Sequence, residues 1–192
     1  KILLVKRLES SFYAFRETLQ RFIKSHELVL KAFDDGFVYT SRKHSRKVLE
    51  FLEEGDDDAI EALIREEKAE KFSAHDFRPV FRQDVESDLA VLREIQQSWR
   101  EIQRDPKWLE FKHELITNAL FKTGKLIIFS EFADTARYLA EQIKAEVDDK
   151  TLLFSSQSSP EQRQAVIADF DANSGDESDH YRILVTTDVL AE

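Results

Sequence analysis

The hydrophobic period changes at Lys125, and no other feature of the chain constrains its fold as much. Beyond that point, short apolar runs at Leu126 to Phe129, Leu152 to Phe154 and Ile183 to Val185 alternate with helical stretches. The first of these helices, Asp134 to Val147, turns Tyr138, Leu139, Ile143 and Val147 inward. The second is opened by Pro160 and runs to Phe170, with Val166, Ile167 and Phe170 expected to be buried. Apolar strands separated by helices predict a parallel sheet with right-handed crossovers, so this half is α/β. The link Asn173 to His180 is expected to be an acidic, solvent-facing and mobile loop. The last strand leaves through Thr186, Thr187 and Asp188, the polar exit expected of a ligand-binding sheet edge.

Residues 1 to 121 read as almost wholly helical. Leu8, Phe12, Phe15, Leu19 and Phe22 recur at spacings of three and four, a single helical face. That helix should continue to Phe33 and stop at Asp34-Asp35-Gly36. The basic and hydroxyl-rich run Thr40 to Lys47 follows as a loop or helix start, with Arg42, Lys43, Arg46 and Lys47 as candidate phosphate contacts opposed by the acidic run from Glu50. Ile60, Leu63 and Ile64 mark a short helix. Val85, Leu89, Leu92, Ile95, Trp99 and Ile102 mark a long one, closed by Asp105-Pro106, whose narrow stripe suits one arm of a hairpin or bundle. Trp108, Phe111, Leu115 and Ala119 form a further amphipathic helix.

A chain of 192 residues holds one large domain or two small ones. It has no run of 18 apolar residues and no signal-like N-terminus, so a soluble cytoplasmic protein without a membrane partner is expected. The absence of cysteine excludes a disulfide scaffold or a cysteine zinc site. No methionine is present and Lys1 opens inside an apolar run, so we expect an internal fragment of a longer chain. The 38 acidic residues against 28 basic ones weigh against a nucleic-acid binder, but much of the excess is local, in Glu50 to Asp58 and Asp171 to Asp179.

Three features, in order, resemble the second motor domain of superfamily-two helicases and translocases. Lys125 to Ser130 followed by Asp134-Thr135-Ala136 looks like the fourth motif. Ser155-Ser156, with Arg163, Ile167 and Phe170, looks like the next strand exit and its helix, and Ile183 to Glu192 looks like the fifth motif. Leu3 to Ser11 resembles the segment leading into this domain in bacterial relatives of chromatin-remodelling translocases. The resemblance implies an incomplete RecA-like parallel sheet with crossover helices over residues 122–192, cut after the fifth motif. A large helical region or insertion, residues 1–121, precedes it.

The resemblance further implies ATP-driven movement along nucleic acid, with DNA favoured over RNA as the track. ATP and Mg2+ would serve the full-length parent, whose first motor domain would be a partner; none is expected on this fragment, which should not hydrolyse ATP alone. Ser130, Ser155 and Thr187, with the Thr186 backbone, would hold phosphates at strand ends. Thr186 and Asp188 would couple the fifth-motif turn to the nucleotide cleft. Phe132, Lys6 and Arg7 are further candidates for nucleic-acid contact, and Arg163 is expected to tie its helix to a neighbouring loop. The rival reading is a non-enzymatic α/β module with a helical arm for a protein partner. An acidic-pocket hydrolase is weaker, because Glu131, Asp134 and Asp188 have no evident basic partner. Thr123-Gly124-Lys125 lacks the upstream glycine and following hydroxyl of a phosphate loop. His26-Glu27 and His113-Glu114 lack a second histidine, and Asp171 to Arg182 fails as a calcium loop at its sixth and twelfth positions.

Overall fold

The computed structural model describes residues 2–54, 56–102, 104–155, 158–171 and 180–187. In chain order its elements begin with α1 (Ile2–Ser10), α2 (Phe12–Asp34), β1 (Phe37–Thr40), α3 (Ser45–Glu54), α4 (Asp57–Arg65) and β2 (Glu70–Ser73). They continue with α5 (Val80–Arg100), α6 (Pro106–Thr117), α7 (Ala119–Lys122), β3 (Leu126–Phe129), α8 (Ala133–Glu146), β4 (Thr151–Phe154), α9 (Pro160–Phe170) and β5 (Ile183–Thr186). The chain divides into two compact units, Lys1–Thr18 with Ile102–Glu192, and Leu19–Glu101.

In the first unit the strands form a parallel sheet in the order β3-β5-β4. The last strand in sequence therefore lies in the centre, and Ile183, Leu184 and Val185 are fully buried, each contributing about 1.5–3 kcal/mol. One face of the sheet carries Ile183, Val185, Leu126, Ile128 and Leu153 against Ala136, Ala140 and Ile143 of α8 and Trp108 and Leu115 of α6. On the other face Leu152, Phe154 and Leu184 meet Val166 and Phe170 of α9. Ile167 departs from expectation: it is 55% exposed. Val166 and Phe170 are one turn apart and define the inward stripe, and Ile167 falls beside it.

Local sequence accounts for the element boundaries. Ser11 interrupts the predicted first helix because its hydroxyl accepts from the Ala14 N–H at 3.0 Å, capping α2 afresh. Asp105 caps α6 by accepting from Lys107 and Trp108 N–H, with Pro106 in the first turn. Ser159 and Gln162 form a capping box around Pro160 at the start of α9. Charged side chains pin the amino ends of the strands. Lys125 Nζ donates to Asp169 Oδ1 at 3.2 Å and to the Tyr181 carbonyl at 2.6 Å. Arg182 donates to Asp148 Oδ2 at 2.5 Å and to the Phe121 carbonyl at 2.9 Å. Burial raises the Asp148 carboxyl, but the Arg182 hydrogen bond and the Lys150 N–H outweigh it and leave the group below its ordinary value.

The second unit is largely helical, as expected, and adds one strand pair that the sequence did not announce. β1 and β2 pair antiparallel, from Phe37 opposite Ser73 to Thr40 opposite Glu70. Phe37-Val38-Tyr39-Thr40 is a β-branched and aromatic run, which favours a pleated strand once a partner is present. Gly36, at φ +95, ends α2 as expected and turns the chain into that strand. Val48, Leu63 and Ala69 form the core beneath, with Tyr39, Phe51, Leu52 and Ile64 around them. Glu27–Arg93 and Asp34–Arg82 pairs set α2 and α5 antiparallel. Leu89 and Leu92 are buried on the predicted stripe of α5. Among the described residues no helix is long and apolar enough to cross a membrane.

Candidate nucleic-acid interface

Register aligns the hydroxyl residues. Phe129, Thr186 and Phe154 occupy one row across the three strands. Ser130, Thr187 and Ser155 are the next residues along, so they form the row at the carboxyl edge, with Thr187 central. The ladder continues into this row, because Ser130 N–H donates to the Thr186 carbonyl at 2.9 Å. With strands spaced about 4.8 Å apart, the row spans about 10 Å.

The three positions differ in access. Ser130 and Ser155 are half-buried, whereas Thr186 is fully buried and Thr187 is 6% exposed. Thr186 Oγ1 donates to the Thr187 carbonyl at 3.0 Å, so its hydroxyl shapes the strand exit. Ser130 Oγ accepts from Phe132 N–H at 3.4 Å and donates to the Phe132 carbonyl at 3.2 Å, which folds the exit of β3 back on itself. Ser155 N–H donates to Ser158 Oγ at 2.9 Å. Arg163 lies 5.4 Å from the ring of Phe154 and so rests α9 on the end of β4. Asp188, Ser156 and residues 172–179, which hold most of the loop expected from Asn173 to His180, lie outside the described residues.

The structure joins Lys6, Arg7 and Phe132, which are far apart in sequence, at this edge. The Arg7 guanidinium stacks 4.0 Å above the Phe132 ring and pairs with Asp134 at 3.3 Å. Lys6 pairs with Glu131 at 3.9 Å. Glu131 and Asp134 thus have the basic partners that the sequence did not reveal, supplied from α1 across more than a hundred residues. Ser10 and Ser11 hydroxyls meet Thr135 Oγ1 at 2.7 and 3.1 Å and fasten the end of α1 to the first turn of α8. No spacing or motif in the sequence announces this hydroxyl cluster.

A cavity of about 330 Å³ opens beside the exit of β3, lined by Ser10, Thr135, Trp108, Phe129, Ser130 and Tyr138 among others. Tyr138 stacks on Tyr13 at 5.1 Å with rings 5° from parallel, and donates to Asp105 Oδ2 at 3.2 Å. Burial first, and then the Asp105 charge, push its phenol above the ordinary value.

The edge is nearly balanced in charge. Lys6, Arg7 and Arg163 face Glu131 and Asp134, and four of those five are paired with one another. An edge so balanced exerts little long-range attraction. The described residues do not fit a nucleotide tail or a metal. Lys125 stands at the amino end of β3, away from this edge, with its ammonium on Asp169 and Tyr181. No group of three or more His, Asp or Glu is placed to hold a metal ion among the described residues.

No curated protein and no solved structure matches the chain. Residues 110–192 match the family described as helicase conserved C-terminal domain. The matched stretch runs from α6 through the sheet and includes the aligned strand exits, so a helicase C-terminal domain is present over residues 110–192 of this chain.

Proposed function

We propose that the chain carries, after its helical region, the second motor domain of a nucleic-acid-dependent ATPase, a helicase or duplex DNA translocase that moves on DNA, with RNA as the alternative track. The observation that carries this reading is the row Ser130, Thr187 and Ser155, aligned by strand register at the carboxyl edge of the helicase C-terminal domain. A parallel sheet places ligands at that edge, and hydroxyls with backbone N–H groups grip phosphates without reading bases. Hydrolysis would need a first motor domain to supply the phosphate loop and the magnesium-binding acid, and an arginine from a sixth motif. No catalytic step is assigned to the described residues.

The test is ATP hydrolysis by the longer protein carrying both motor domains, with duplex DNA, single-stranded DNA or RNA. One polymer should stimulate hydrolysis, and the Ser130→Ala/Ser155→Ala variant should need about tenfold more of that polymer, the loss of two hydrogen bonds at about 0.5–1.5 kcal/mol each. The excess of 38 acidic over 28 basic residues favours a second reading, a non-enzymatic scaffold. Absence of hydrolysis with every polymer would support that scaffold.

A further inference from the structure

We propose that the loop between β1 and α3, in the unit Leu19–Glu101, is a second contact surface for the phosphate backbone of duplex DNA. Arg42, Lys43, Arg46 and Lys47 are all exposed there, and no acidic residue occurs from Phe37 to Leu49. Arg46 pairs with Glu50 at 2.8 Å, whereas Arg42 and Lys43 make no hydrogen bond or ion pair among the described residues. The loop is ordered by its own hydroxyls. Ser41 Oγ accepts from His44 N–H at 2.9 Å and donates to the Lys68 carbonyl at 2.6 Å, and Ser45 Oγ donates to the Ser41 carbonyl at 2.5 Å. The cations are therefore presented on a preset turn, and little backbone ordering remains for binding.

Nearby acids limit the patch without cancelling it. Glu67 and Glu70 line the same groove as Arg42, Lys43 and Lys68. Glu66 is held by Lys68 at 2.5 Å. The acidic run starts at Glu50, one turn from Arg46 and paired with it, and Glu53 and Glu54 follow about 9–10 Å along α3 from Lys47 at about 1.5 Å per residue. At physiological salt, where the Debye length is about 8 Å, they oppose mainly the α3 end of the patch and Arg42 and Lys43 least. Nucleic acid is the partner favoured because the strand-end row keeps little free positive charge: Lys6 and Arg7 are taken up by Glu131 and Asp134, which leaves Arg163 over the Phe154 ring. A domain that grips phosphates through hydroxyls gains attraction from cations placed elsewhere, and a duplex presents about one charge per 1.7 Å. The inference shares with the proposed function only the premise of nucleic-acid binding, and it concerns a different surface.

The experiment is fluorescence anisotropy of a labelled duplex of about 20 base pairs with the whole 192-residue chain, from about 50 to 200 mM salt. R42A/K43A/K47A should bind about tenfold more weakly at low salt, with a salt slope shallower by about two to three. R42K/K43R/K47R should retain the original slope. S130A/S155A should lose affinity with no change in slope, since hydroxyls displace no counterions. Failure of that last arm alone strikes the strand-end reading and leaves the loop result standing. The loop proposal is overturned if the alanine variant matches the unmodified chain within twofold, or if the charge-conserving variant is as weak as the alanine one. It is also overturned if the unmodified chain binds no duplex. Loss of poly-L-glutamate binding in the alanine variant, with duplex binding intact, would overturn it in favour of an acidic protein partner.

Discussion

Glu67 holds a backbone conformation that suits glycine. At φ +55 it follows α4, where its N–H reaches the Ile64 carbonyl and the Lys68 N–H reaches Leu63, the closing pattern of a helix that usually ends in glycine. Glu67→Gly should therefore stabilise the protein by about 1 kcal/mol, read as a rise in the urea midpoint; an unchanged or lower midpoint would contradict this account. Tyr138 gives a residue-level prediction in pH. Its phenol is raised above 10.0 in the folded state, so its contribution is complete below that value and is lost as pH rises through the folded value. Urea midpoints measured on both sides of that pH should fall at the alkaline end, and Tyr138→Phe should flatten the fall. The candidate site was partly legible at this scale. Ser130, Ser155 and Thr187 stand out because each follows an apolar run, and strand ends are readable from periodicity. The Arg7–Phe132–Asp134 cluster was not, because the partners are 125 or more residues apart and a single sequence carries no signal for long-range pairs. Burial of Thr187 was likewise invisible, since it depends on its place in the central strand.

Among the elements, those set by local pattern were readable and those set by pairing were not. The strands of the sheet, the helices between them and the stop at Gly36 follow from apolar runs, Pro160 and glycine chemistry. β2 escaped because Glu70-Lys71-Phe72-Ser73 has little strand preference and forms one only opposite β1. Ile167 was placed inward because α9 is short enough for two stripes to fit its apolar residues, and the sheet selects the one through Val166 and Phe170. The same sheet predicts a fragile corner at its amino edge. Arg182 ties Asp148 before β4 to the Phe121 carbonyl at the end of α7, with both side chains about one-fifth exposed. Arg182→Met should destabilise the protein by about 2–3 kcal/mol, because it leaves a half-buried carboxylate without its partner. Asp148 is depressed below 3.8 when folded, so its contribution is present above that value and lost as pH falls through it. Acid unfolding of the unmodified chain should include this loss, and in Arg182→Met the corresponding slope should diminish. A slope that persists unchanged would place the acid sensitivity elsewhere.

On the scale of the whole molecule, net charge does not distinguish the two units, since each holds 19 of the 38 acidic and 14 of the 28 basic residues. The unit that contains the helicase C-terminal domain presents aligned hydroxyls at an edge whose cations are mostly paired. The unit Leu19–Glu101 carries the exposed basic loop and also the acidic run from Glu50 to Asp58. A net charge of −10 therefore says little about what the chain binds, because attraction is set by local fields within a Debye length. Under the proposed function, the carboxyl edge of the sheet grips a nucleic-acid backbone and transmits that grip to an ATPase. The most direct measurement is polymer-stimulated ATP hydrolysis by the two-motor protein, comparing the unmodified form with Ser130→Ala/Ser155→Ala. Stimulation by one polymer, with its half-maximal concentration raised about tenfold in the variant while unstimulated hydrolysis stays the same, is the predicted result. Identical stimulation curves for the two proteins would contradict the assignment of the strand-end row.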